Sequence, residues 1–119
     1  MPTIELGYIP PASVRGNSRA HHIVKWRDSQ KLRDSGFWHG CVELIDMGQV
    51  DHITLTFEFH HNRLVDHDNL AIGMKPWVDG LVEAGIVLDD SPNHVSYGQN
   101  RFVKCPRGES KTIVEVSAG

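Results

Sequence analysis

Residues 52–60 constrain the fold more than any other stretch. Ile53, Leu55, Phe57 and Phe59 alternate with Thr54, Thr56 and Glu58, so one face is apolar and the other polar. That period of two belongs to a β-strand covered on one side. A chain with such a strand needs sheet neighbours and a helical layer to cover the apolar face. Thr3–Ile9 supplies one neighbour, with Ile4, Leu6 and Tyr8 on one side and Pro10-Pro11 as its stop. Val95–Lys104 and Thr112–Val116 supply two more, joined by the turn Pro106-Arg107-Gly108-Glu109. A weaker strand is expected at Cys41–Ile45.

Helical spacing is expected from about Ala20 to Asp34, with Ile23, Val24 and Leu32 inward, Lys25, Arg27, Lys31 and Arg33 outward, and Gly36 as the stop. A second helical stripe runs through Leu70, Met74, Trp77, Val78, Leu81 and Val82. Gly73 and Pro76 divide it, because proline lacks the N–H that an interior turn needs. Residues 69–73 are therefore expected to form a separate turn, with a regular helix from about Lys75. The expected architecture is α+β: one domain over residues 1–119, a mixed sheet of about four strands and about two packed helices. The 119 residues suffice for a core without staples.

The same segment concentrates acid. Asp66, Asp68, Asp89 and Asp90 bracket the stripe, and Lys75 lies between them. Clustered carboxylates repel one another unless a cation neutralises them. Oxygen donors favour Mg²⁺ or Mn²⁺ over zinc. A cation held by Asp66, Asp68 and Asp90 would bind a phosphate oxygen and activate water, while Lys75 stabilises developing charge. The pattern points to metal-dependent phosphodiester hydrolysis. Taken singly, Asp68 also reads as a helix N-cap and Asp89 as a turn former.

Charge is uneven along the chain. Residues 1–35 carry six basic and three acidic side chains, 36–90 two and ten, and 91–119 four and two. Arg15, Arg19, Lys25, Arg27 and Arg63 are the candidates for contact with DNA phosphates. Of eight histidines, His60 and His61 fall on opposite faces of a strand, which disfavours a shared zinc ion. Trp26 and Trp38 suit either a core or base stacking. Cys41 and Cys105 lack Cys-x-x-Cys spacing and are expected as free thiols in a cytoplasmic protein. Neither a membrane span nor a signal peptide is expected.

Asp66-x-Asp68-Asn69-Leu70, Lys75-x-x-x-Asp79-Gly80-Leu81, Ala84-Gly85 and Asp89-Asp90-Ser91 together resemble the RusA family of Holliday junction resolvases. Pro10-Pro11 and the order of elements extend the likeness beyond residues 66–91. The resemblance implies a RusA-like homodimer that cuts branched DNA, four-way junctions above all, with Mg²⁺ or Mn²⁺. It implies Asp66, Asp68 and Asp90 as metal-binding catalytic acids, Lys75 as the catalytic lysine, Asp89 as a supporting metal-site acid, and Asn69 in local hydrogen bonding. Two features depart from the family pattern. Lys75 lies seven rather than four residues after Asp68, and the lead-in His60-His61-Asn62-Arg63 holds one permanent positive charge. Two other functions stay open: a non-catalytic binder of branched DNA, and a metal-dependent phosphoesterase acting on small substrates.

Overall fold

Strand β2, Ile53–His61, lies at the centre of the sheet, as its alternation requires: Ile53, Leu55, Phe57 and Phe59 are fully buried. The computed structural model describes residues 2–16 and 18–118. Among them β1 (Thr3–Leu6), β2, β3 (Val95–Tyr97), β4 (Arg101–Lys104) and β5 (Lys111–Ala118) form one mixed sheet. β5 pairs antiparallel with both β1 and β2, whereas β3 and β4 both run parallel to β2 along its other edge. Five strands thus occupy four positions.

The stretch 95–104, read from sequence as one strand, is broken at 98–100. Gly98 N–H still donates to the Leu55 carbonyl at 2.9 Å. Beyond it, the Asn100 side-chain oxygen accepts from Phe57 N–H at 3.4 Å, so an amide side chain stands in for the missing ladder bond. A side chain at Gly98 would collide with the Thr56 hydroxyl.

Helix α1 spans His22–Val42 and continues through Gly36, which is no stop. The expected strand at Cys41–Ile45 is consequently the end of α1 and a following 3-10 turn, Ile45–Met47. Gly36 and Gly40 persist within the helix because α3 crosses there. A Cβ at Gly36 would overlap the Trp77 carbonyl, and one at Gly80 would overlap the Arg33 carbonyl. Backbone contact replaces side-chain interdigitation at that crossing. The inward side of α1 is therefore Leu32, Gly36 and Gly40, while Ile23, expected in the core, is exposed.

The acidic segment folds as α2 (His67–Gly73) and α3 (Lys75–Glu83), separated at Met74. This is the division that Gly73 and Pro76 predict. Pro76 lies in the first turn of α3, where its missing N–H costs nothing. Leu70, Met74, Trp77, Val78 and Leu81 are fully buried in the one apolar core that α2 and α3 share with α1 and the sheet. Of the run 86–88, Ile86 and Val87 are buried but Leu88 is exposed. No helix is long and apolar enough to cross a membrane among the described residues.

Candidate metal and phosphate site

The parallel pairing of β2 with β3 and β4 forces the chain between them to cross over through α2 and α3. The end of α2 and the start of α3 border the interruption of the sheet, together with Asp90.

Asp66, not Asp68, is the N-cap of α2. Its carboxylate accepts the Asp68 N–H at 2.9 Å. Two aspartates spaced by one residue satisfy the capping rule equally in sequence; the backbone selects the first. Asp68 then lies in the first turn with its side chain 79% exposed, and its Oδ1 is 3.2 Å from His67 Nδ1. One donor atom each from Asp66, His67 and Asp68 lie within 4.8 Å of one another. Among the described residues no other group of three or more His, Cys, Asp or Glu is so close. Asp66→Ala should lower stability by about 1 kcal/mol in thermal unfolding, whereas Asp66→Asn, an equally good cap, should leave it nearly unchanged. Equal losses would show that the cap is not what Asp66 contributes.

Asp90 lies outside that group. It forms an ion pair with Lys75 Nζ, which also donates to Asp79 Oδ1 at 3.0 Å. The Asp79 pair spans one helical turn, so the lysine projects along α3 and is steadied by acids on both sides. Asp89 is turned elsewhere. Its Oδ1 accepts Ser91 N–H at 2.8 Å, and the Ser91 hydroxyl and N–H, then the nearby His94, hold its carboxyl below the usual aspartate range. Asp89 therefore has the turn-forming role, and Asp90 faces the lysine.

Lys75 and Asp90 border a cleft of about 480 Å³ with Ala71, Ile72, Tyr97 and Asn100. It opens at the break between β3 and β4, where a bulge-like interruption re-aims side chains. Burial, and secondarily the Asp79 charge, push the Tyr97 hydroxyl above the ordinary tyrosine value, so it remains a neutral donor.

The basic candidates divide into two places. Arg15 Nε donates to the Pro10 carbonyl at 2.9 Å, and Gly16 N–H donates to the Asn69 carbonyl at 3.2 Å, docking the 12–16 loop on α2. Asn69 thus holds that loop through its backbone carbonyl, a long-range contact and not the local hydrogen bond expected at the helix start. Burial and then the charges of Arg15 and Arg63 hold the His61 imidazole below its usual value. Both arginines are thus close enough to His61 to disfavour its protonation. Lys25 and Arg27 lie exposed on α1, and Arg19 lies exposed before it. The folded chain therefore releases the His61 proton at lower pH than the unfolded chain. Its contribution to stability is complete above the unfolded value of about 6.5 and declines as pH falls through that value toward the folded one. His61→Gln should flatten the decline in Tm between pH 7 and 5, and identical declines in both proteins would contradict this.

The pairing of Lys75 with Asp90 joins residues 15 apart, and Tyr97 and Asn100 complete the cleft from another strand pair; neither follows from the helix pattern. The Gly98-Gln99-Asn100 turn signal within the expected strand was the available clue. Comparison with family models and with curated proteins returns no match.

Proposed function

We propose that the chain is a metal-dependent endonuclease of branched DNA, RusA-like in its fold and chemistry, working as a homodimer in a bacterial or phage-infected cytoplasm. The observation that carries this reading is the arrangement around the α2–α3 break. A lysine steadied by two carboxylates borders a cleft at the junction, and two further carboxylates with an imidazole crowd the start of the preceding helix.

The donor set at Asp66 and Asp68 fits a hard divalent cation, and His67 adds a nitrogen that Mn²⁺ accepts more readily than Mg²⁺. When bound, such a cation polarises a phosphoryl oxygen and lowers the pKa of water. The protein's own groups account for the rest. Asp66 fixes the helix start that presents Asp68. Asp79 and Asp90 hold the Lys75 ammonium in one place, and its charge can then favour the pentavalent phosphorane-like charge distribution over the ground state. Arg15 and Arg63 are the candidates for holding a neighbouring phosphate of the same strand, and such contacts position DNA without reading its sequence. Because the middle third is strongly acidic, DNA affinity should depend on the cation more than in an ordinary basic nuclease.

A second reading follows from the cleft itself. Its volume and its mostly apolar lining with Tyr97 and Asn100 suit a small phosphoester. Incubating the protein with a labelled four-way junction, a flap, a linear duplex and bis-p-nitrophenyl phosphate, each with Mg²⁺, Mn²⁺ or EDTA, separates the possibilities. Paired symmetric nicks in the junction, abolished by EDTA, are expected. Binding without nicks would make the chain a non-catalytic DNA binder. Hydrolysis of the small diester alone would favour the second reading.

A further inference from the structure

Apart from Lys75 and Asp90, which pair with each other, the lining of the cleft beside α2 is uncharged: Ala71, Ile72, Tyr97 and Asn100. Two of these are large apolar side chains left open to water, Ile72 at 57% and Tyr97 at 50% exposure. They reach the cleft from different elements, Ile72 from α2 and Tyr97 from β3. Behind the Tyr97 ring lies the fully buried ring of Phe57, its centroid 6.2 Å away, so core packing holds the tyrosine in place.

Asn100 adds a directed polar group. Only the oxygen of its amide can accept the Phe57 N–H, at 3.4 Å, so the NH₂ end is the one left to donate. An apolar wall with an aromatic ring and one amide donor suits a flat heterocycle, which needs stacking area and a partner for a ring oxygen or nitrogen. At about 480 Å³ the cleft falls within the ~300–1,000 Å³ of small-ligand sites.

Charge attaches that heterocycle to a nucleic acid strand. Gly16 packs against Ile72, so the loop that carries Arg15 adjoins the same wall. Arg15 is half-buried there and pairs with no carboxylate among the described residues, which leaves its charge for a phosphate. A base stacked and paired inside a duplex cannot enter a side pocket. One at a branch point can, because the cost of leaving the stack is least where pairing is already broken.

We infer that the cleft receives one unstacked nucleobase from a branch point, lying against Tyr97 and Ile72 and accepting a hydrogen bond from the Asn100 amide. The inference rests on the nuclease reading and deepens it, since the site then selects a nucleotide free to leave the stack. Fluorescence anisotropy in Ca²⁺ with two four-way junctions tests it. One carries an unpaired thymidine at the branch point, the other an abasic spacer in its place. Their phosphates are identical, so the ratio of the two dissociation constants reports the base alone. Measured on one protein, that ratio is also independent of the fraction folded. The wild type should prefer the thymidine junction by ~5-fold or more, the low end for a base stacked on an aromatic side chain. Tyr97→Ala should bring the ratio close to one, and Tyr97→Phe should keep most of it. Asn100→Asp retains the oxygen that accepts the Phe57 N–H but loses the donor, so its ratio should fall as well.

A wild-type ratio near one, or a ratio unchanged in Tyr97→Ala, would overturn the inference even if paired nicks appear in Mn²⁺. So would failure to bind either junction; shifts of the Tyr97 and Asn100 resonances on adding thymidine monophosphate would then give the cleft to a free nucleotide. The expected ratios without any nicking in Mn²⁺ would instead leave this inference standing and remove the nuclease reading.

Discussion

Replacing Lys75 by alanine should cut the rate of junction cleavage by about 10²-fold or more, the loss typical of removing one preorganised charge from a phosphoryl-transfer site. The same substitution should change thermal stability by less than about 1 kcal/mol, because exposed ion pairs contribute little. Lys75 is 52% exposed and its partners Asp79 and Asp90 are each 36% exposed, so water already screens the pairs. Large kinetic and small thermodynamic effects together distinguish a site residue from a structural one. Single-turnover cleavage beside a melting curve measures both. A stability loss of several kcal/mol with proportionate activity loss would instead make the lysine a staple between α3 and the Asp90 turn.

The largest effect on folding should come from Gly36→Ala. The added methyl meets the Trp77 carbonyl, which is backbone and cannot rotate away. Helices α1 and α3 must then separate, opening the packing around Leu32, Trp77 and Leu81. Overpacking usually costs about 1–3 kcal/mol and occasionally more; with a rigid partner the upper end, about 3 kcal/mol, is expected. For a domain of this size that lowers Tm by roughly 10 °C. Gly7→Ala is the control, since a Cβ there meets nothing within 4 Å. Similar losses in both variants would show that helix crossing is not the reason for Gly36.

Gly36 also marks where sequence reasoning goes astray. After a basic amphipathic stretch, a glycine reads as a helix stop, and the β-branched and sulfur-containing residues that follow read as a strand. Neither inference fits a helix crossing at backbone contact, where glycine is needed inside the helix. The direction of α1 was equally hidden. Its apolar residues are spread around the axis, so no face dominates, and only the partner helix determines that Leu32 turns inward while Ile23 turns outward.

Elsewhere local chemistry was enough. Strand β2 followed directly from its alternation, and the separation of α2 from α3 followed from Gly73 and Pro76. Lys75 consequently begins a new helix rather than extending the old one. The acids near the start of α2 were legible as neighbours because they are adjacent in sequence. Which aspartate caps the helix, and that Asp90 pairs with Lys75 rather than joining Asp66 and Asp68, depend on backbone geometry and on a turn 15 residues away.

Asp66→Asn offers the sharpest separation of cation binding from folding, because asparagine caps a helix as well as aspartate but binds a divalent cation weakly. The decisive measurement is the single-turnover rate of four-way junction cleavage in Mn²⁺ for wild type and Asp66→Asn, with EDTA as the blank. The proposed function predicts paired nicks by the wild type, none in EDTA, and a loss of at least ~100-fold in the variant at an unchanged melting temperature. Equal rates in the two proteins, or cleavage that persists in EDTA, would contradict it.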